Sequence, residues 1–410
     1  MIGSSVKRLT DYIESLSLAA RASPNRIVAF DIIRGFFLAV ILVDHVELYP
    51  SGFDIVTGRG ILYVSAAEGF FFMSGLLVGM VYRRRIANGM RFIFKKMWTR
   101  ALELYFASIA LTLLFTIAAV NLRRPSLKYG LPNPPVHWLH VVGQTFLMRY
   151  GYGWTDFLDR FAILMFLAPI GFYLIAKGRW KLLMILSFTI WCLRGVFTPY
   201  DFTVSWQFLF LGAMVIGFHW QRLAKSFHGL PDHRRRYIKR AVAWTSAVTF
   251  SISYASVFLL TPLNNHYNQL SAWAKTFTDG FNSFNAWIWL YAQKWTLGPI
   301  RIILFFFWFW TLFMLVQKYL PLLDRFAKGV FDLLGTNSLF VYIAQGFIVF
   351  VLKLFVPTHT GFVENFIITL AALVVLVGLT VLYKKHYPTL ASKKAHFYQK
   401  MPWVPANVES

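Results

Sequence analysis

From Val28 onward the chain is a succession of apolar runs, many near the length of a bilayer crossing, separated by polar or strongly basic connections. A helix rises about 1.5 Å per residue, so about 20 mainly apolar residues cross a hydrocarbon core of about 30 Å. The runs predict about ten such helices, at 28–48, 61–82, 101–120, 158–176, 181–198, 206–220, 241–260, 299–320, 336–356 and 364–383. The period-two alternation of a membrane barrel is absent from them. The expected fold is therefore all-α, a polytopic membrane domain over 28–383 with a leading segment over 1–27 and a tail over 384–410. The leading segment is mixed and modestly amphipathic. It has no apolar stretch followed by a small-residue cleavage site, so it reads as a surface helix and not as a removable signal.

The first run carries Asp31, Arg34 and His45 inside its apolar length. Ionisable groups at membrane depth are costly and invite a functional explanation. Eleven residues separate Arg34 from His45, which leaves them only about 20° apart around a helix axis and about 16 Å apart along it. Asp31 sits one turn before Arg34 and suits an ion pair that holds the guanidinium in place. The second run opens Ser65-Ala66-Ala67-Glu68-Gly69. An antiparallel neighbour would bring Glu68 to a depth similar to that of His45. There the carboxylate either fixes the imidazole tautomer for base catalysis or makes a structural ion pair between helices.

Composition agrees with the membrane reading: 57% of the 410 residues are hydrophobic and only 14% are charged, with a mean hydropathy of +0.54. The net charge of +24 could suggest nucleic acid, but no basic soluble module or reader motif is present, and no nucleic-acid partner is expected. The basic residues instead crowd into alternate connections. Arg83, Arg84, Arg85, Arg91, Lys95, Lys96 and Arg100 follow the second run, and similar groups follow the fourth, sixth and eighth. The intervening connections hold far fewer, which predicts that both termini are cytoplasmic. His45 then lies near the outer face and Arg34 near the inner one. The single cysteine, Cys192, provides neither a disulfide framework nor a thiolate metal cage. His137-x-x-His140 spans one turn without a third ligand nearby, so no metal is expected.

Two connections on the predicted outer side, 121–157 and 261–298, are rich in aromatic residues, including Tyr150-Gly151-Tyr152-Gly153-Trp154. Such rings suit an interfacial belt and equally suit sugar stacking. There is no phosphate-binding glycine loop for nucleotide-driven transport. No internal repeat of broken helices is visible either.

Asp31-Ile32-Ile33-Arg34-Gly35, followed by His45 after ten intervening residues, resembles the Arg-x10-His motif of the acyltransferase-3-like integral membrane acyltransferases. Ser65-Ala66-Ala67-Glu68 through Phe72-Met73-Ser74-Gly75 is similar more narrowly to the OpgC branch, which succinylates periplasmic glucans. Trp154-Thr155-Asp156-Phe157-Leu158, Ser205 through Gly212, Leu297-Gly298-Pro299-Ile300-Arg301 and Leu334 through Leu339 follow in family order. Asp44 stands where the family favours a neutral residue, and Gln345 stands about where many relatives carry a histidine.

The resemblance implies an acyltransferase of the bacterial inner membrane, with acyl-CoA, in this branch succinyl-CoA, as co-substrate and an outward-facing glycan as acceptor. His45 would be the base and Glu68 its orienting partner, with a transient acyl-histidine as the competing route. Asp31, Arg34, Arg84 and Lys95 would serve the anionic CoA. Trp154, Asp156, Arg160, Trp206 and Gln207 are candidate acceptor contacts. Arg194 would either bind an acidic acyl group or snorkel to the interface. The alternative function is a transporter or flippase for a polar or acylated envelope substrate, with Asp31, Arg34, His45 and Glu68 lining its path. Membrane lipid surrounds the protein in either case.

Overall fold

The computed structural model describes residue 13 and residues 27–386, apart from 129, 133–135, 198–200 and 357–360. The expected segment over 1–27 and the tail over 384–410 therefore fall almost wholly outside the described residues. Among those residues every regular element is helical. The longer helices are α1 (Val28–Val46), α2 (Ala66–Arg83), α3 (Met90–Leu122), α4 (Asp156–Ala176), α5 (Trp180–Cys192) and α6 (Asp201–Phe218). They continue with α7 (Asp232–Phe258), α8 (Ala272–Tyr291), α9 (Pro299–Lys318), α10 (Ser338–Phe355) and α11 (Phe362–His386).

Each predicted run coincides with a helix, but the expectation of about ten crossings is met only in part. Among the described residues six stretches are long and apolar enough to cross a membrane: Met90–Leu122, Gly153–Ala176, Asp232–Asn265, Pro299–Lys318, Ser338–Phe355 and Phe362–His386. Phe202–Phe218 and Trp220–His228 form a further candidate, bent by 66°. The rest fall short for physical reasons. Helix α5 has only 13 residues, while α1 and α2, at 19 and 18 residues, carry Asp31, Arg34, Asp44, Glu68 and Arg83. Helix α8 lies in the 261–298 connection, where the apolar runs predicted none.

Those charged helices are the centre of the bundle. Ile33, Leu38 and Leu42 of α1, and Phe71, Phe72 and Met73 of α2, are fully buried. Shielding by neighbouring helices, not lipid contact, is what makes their polar residues tolerable. The packing is close because backbone meets backbone. A Cβ on Gly75 would lie 2.2 Å from the Phe210 carbonyl oxygen of α6, and one on Gly217 of α6 would lie 2.0 Å from that of Leu76. Small residues permit such approach between helices that have no hydrophobic drive to associate within lipid. Aromatic side chains fill the remaining space. Phe71 meets Phe157 of α4 edge-on at 4.5 Å and Trp206 of α6 at 4.9 Å, and Phe72 meets Phe309 of α9 at 4.6 Å.

Contacts sort the helix ends into two groups. The end of α1 at His45 meets the starts of α2, α4 and α6 and the end of α10 around one cavity. At the opposite end the start of α1 packs on the short helix Val330–Thr336, and Arg83 at the close of α2 donates to the Phe218 carbonyl at the close of α6.

Candidate active site

A cavity of about 260 Å³ opens at the His45 end. Its wall includes Asp44 and His45 of α1, Ser65–Ala67 at the start of α2, Trp154, Asp156 and Arg160 around the start of α4, and Phe202 of α6. Lys294, Trp295 and Lys353 complete its polar rim. His45, Trp154, Asp156 and Arg160 thus converge as neighbours, although the first is more than 100 positions from the others in sequence.

The imidazole of His45 lies beside the backbone carbonyl of Ile41, one turn earlier on α1. In a neutral imidazole one nitrogen is a donor and the other an acceptor. An N–H turned to that carbonyl would leave the second nitrogen able to accept a proton. Asp44, beside it, accepts from the Tyr49 hydroxyl at 3.5 Å. Burial, reinforced by Asp44, Glu47 and Asp54, raises the Tyr49 pKa and keeps that phenol a neutral donor.

On the facing wall Asp156 and Arg160 form an i,i+4 ion pair at 2.7 Å. The Arg160 guanidinium lies 3.8 Å above the centre of the Phe202 ring. Phe202 in turn stacks on Trp206, with centroids 4.7 Å apart and planes at 14°. Trp206 is completely buried and backs two residues of the cavity wall, Phe202 by stacking and Lys294 through its indole, which donates to the Lys294 carbonyl at 3.1 Å. Trp154 faces the cavity directly and donates to the Gly346 carbonyl of α10 at 3.2 Å.

Glu68 is engaged elsewhere than expected. Its Oε2 accepts from the Ser65 backbone amide at 2.8 Å and the Ser65 hydroxyl at 2.7 Å, a capping box at the start of α2. Its Oε1 accepts from Arg301 Nε, and both side chains are fully buried. The Ser-x-x-Glu spacing was the signal for this cap. Among the described residues Glu68 makes no hydrogen bond to His45. Arg301, which sequence reasoning quoted without assigning a role, is the partner of Glu68.

Two other expected contacts lie apart from the cavity. Gln207 exchanges hydrogen bonds with Ser187 of α5, each at 2.7 Å, one to the Ser187 carbonyl and one from its hydroxyl. Arg194 donates to the Trp191 carbonyl at 2.8 Å and covers the Trp191 ring at 4.7 Å. At the opposite end Asp31 and Arg34 pair at 3.3 Å as their spacing predicts. Arg84 and Lys95 are exposed near that end.

Two narrow voids lie deeper in the bundle. The first, about 10 Å³, is bounded by His45, Trp154, Tyr342 and Gln345. The second, also about 10 Å³, is bounded by Tyr342, Phe157, Phe70, Ser338 and Arg100. Tyr342 is the wall they share, and Arg100 lies at the Arg34 end of the bundle. Each void has about the room of a single water. Gln345 is 2% exposed, and its Oε1 has no hydrogen-bond partner among the described residues. Among those residues no group of three or more His, Cys, Asp or Glu side chains gathers as a metal site.

No curated protein and no solved structure matches the chain. The model of the OpgC protein family matches residues 26–387, nearly the whole of it, and so takes in both ends of the bundle and every residue of the cavity. This multi-pass helical membrane protein belongs to the OpgC family, whose chemistry is of the acyltransferase type.

Proposed function

We propose that this protein is a membrane O-acyltransferase moving an acyl group, succinyl by the family resemblance, from cytosolic acyl-CoA to a hydroxyl of a periplasmic glucan or related envelope glycan. The observation that carries the proposal is the position of His45, which lines both an open polar cavity and the first of two narrow voids, the second of them bounded by Arg100. In this reading the bundle crosses the inner membrane about ten times with both termini in the cytoplasm, as the alternating loop charge supports.

The anionic head of CoA meets Arg34, Arg84, Lys95 and Arg100, with Asp31 steadying Arg34. Its slender pantetheine arm follows the voids past Tyr342, widening them as it enters. The glycan approaches from the other side, its ring against Trp154 and its hydroxyls towards Asp156 and Arg160. The free nitrogen of His45 takes the proton of one acceptor hydroxyl. That oxygen attacks the thioester carbonyl carbon, a C–O bond forms and the C–S bond breaks. The departing thiolate recovers the proton from the imidazolium, leaving a glycan ester and the CoA thiol.

The test is acyl transfer to glucan by the purified protein in proteoliposomes, read as an added acyl mass. His45→Ala should insert normally and lose about 10²–10⁴-fold in rate. Full activity in that variant would remove His45 from the chemistry, and transfer by neither protein from any acyl-CoA would remove the reaction itself.

A further inference from the structure

We propose that Lys294 is the specificity residue of the cavity, binding the free carboxylate of a dicarboxylic acyl group as the thioester reaches His45. The inference rests on the acyltransferase reading and adds to it the residue that selects the acyl group. Among the described residues four cations line the cavity: Arg59, Arg160, Lys294 and Lys353. Three of them already have carboxylates. Arg59 pairs with Asp54 at 3.0 Å, Arg160 with Asp156 at 2.7 Å and Lys353 with Glu47 at 2.5 Å. Among the described residues Lys294 has no such ion pair. Asp44, the remaining acid of the wall, feels the charge of Lys294 but forms no ion pair with it, and accepts instead from the Tyr49 hydroxyl at 3.5 Å. A half-buried ammonium in a concave wall, with no carboxylate in direct contact, attracts an anion more strongly than one in open water.

The lysine is also held for a purpose that its side chain does not serve internally. Its turn joins α8 to α9 and is fastened from three helices. Trp206 of α6 donates to the Lys294 carbonyl at 3.1 Å, Trp191 of α5 to that of Leu297 at 3.1 Å, and Arg301 of α9 to that of Ala292 at 3.2 Å. Within the turn the Gly298 amide donates to the Gln293 carbonyl at 3.0 Å, and Leu297 takes a left-handed φ of 46°. All of these bonds use backbone atoms of the turn, so they fix where the lysine stands without engaging its ammonium. Fixed, desolvated charge is what discriminates between ligands of equal size and different charge. Trp206 and Arg301 thereby gain a role as positioning residues for Lys294.

A carboxylate in this cavity could come from the acyl donor or from an anionic acceptor, and a neutral glucan acceptor separates the two. With that acceptor, kcat/KM is measured for succinyl-CoA, acetyl-CoA and β-alanyl-CoA. The last has the length of succinyl with an ammonium in place of the carboxylate. Lys294→Gln should reduce the preference for succinyl over acetyl by about tenfold or more. Lys294→Glu should turn the preference from succinyl towards β-alanyl. Because the turn is held by backbone atoms, both variants should fold, which retention on gel filtration and an unchanged melting temperature confirm. An unchanged succinyl-to-acetyl ratio in both variants overturns the proposal, whatever happens to overall rate. So does a ratio that changes only when an anionic glucan replaces the neutral one. Failure of the wild-type protein to transfer any acyl group instead marks failure of the acyltransferase reading.

Discussion

Arg301 and Glu68 form an ion pair in which neither side chain reaches solvent, tying the start of α9 to the capping box that opens α2. Removing one member leaves the other as an uncompensated buried charge, which costs about 3–5 kcal/mol. Arg301→Ala and Glu68→Ala should each lower the melting temperature strongly in detergent. The double variant should be far less destabilised than the sum of the two, because it strands no charge. Additive losses would show that the two side chains act separately.

Backbone contact beside Asp31 and Arg34 gives a second expectation. Gly335 lies against α1 so closely that a Cβ there would sit 2.0 Å from the Asp31 carbonyl oxygen, and one on Gly35 would sit 2.0 Å from that of Phe331. Gly335→Ala must push the Val330–Thr336 helix away from α1 and should cost about 1–3 kcal/mol. Gly212→Ala, whose new Cβ would meet only the flexible end of Met184 at 3.6 Å, should be nearly neutral. Equal thermal stability of the two variants would contradict the packing described.

The same comparison shows what the sequence made legible. Apolar runs and loop charge located every long helix except α8, whose aromatic and polar residues alternate too evenly for a spanning run. The Asp31–Arg34 pair followed from one helical turn, and so did the shared side of Arg34 and His45. Contacts across helices were less accessible. Glu68 and His45 could be placed at similar depth, but rotation about each helix axis decides which neighbour a carboxylate meets, and depth does not encode rotation. The Ser65-x-x-Glu68 spacing did carry the answer for half of that carboxylate. Lys294 had no signal at all. Its importance arises from which other cations have found partners, a property of the assembled cavity and of no local pattern.

Tyr342 bounds both narrow voids, and its hydroxyl donates to the Trp154 carbonyl at 2.6 Å. If the pantetheine arm passes there, Tyr342→Trp should obstruct it and lower turnover with acyl-CoA by about tenfold or more. A short thioester such as succinyl-N-acetylcysteamine, supplied from the glycan side, avoids the passage and should be used as well as by the wild type. Equal losses with both donors would place the effect in packing and not in passage.

Gln345 permits the sharpest separation of stability from chemistry. Its Oε1 is buried with no partner among the described residues, next to the void that His45 also lines. A buried acceptor without a donor costs about 1–3 kcal/mol in the empty protein, so an apolar residue of similar size removes a penalty. Gln345→Leu should therefore leave the melting temperature unchanged or raise it. A ligand that fills the void with an N–H or O–H would reverse that balance, because the oxygen then gains its missing donor. The pantetheine arm carries two amide N–H groups of that kind. Gln345→Leu should consequently raise KM for acyl-CoA about tenfold while the protein becomes no less stable. Gln345→Glu keeps the acceptor and should keep KM closer to the wild type. A Leu variant that melts earlier and binds acyl-CoA as before would show that the oxygen is satisfied within the fold.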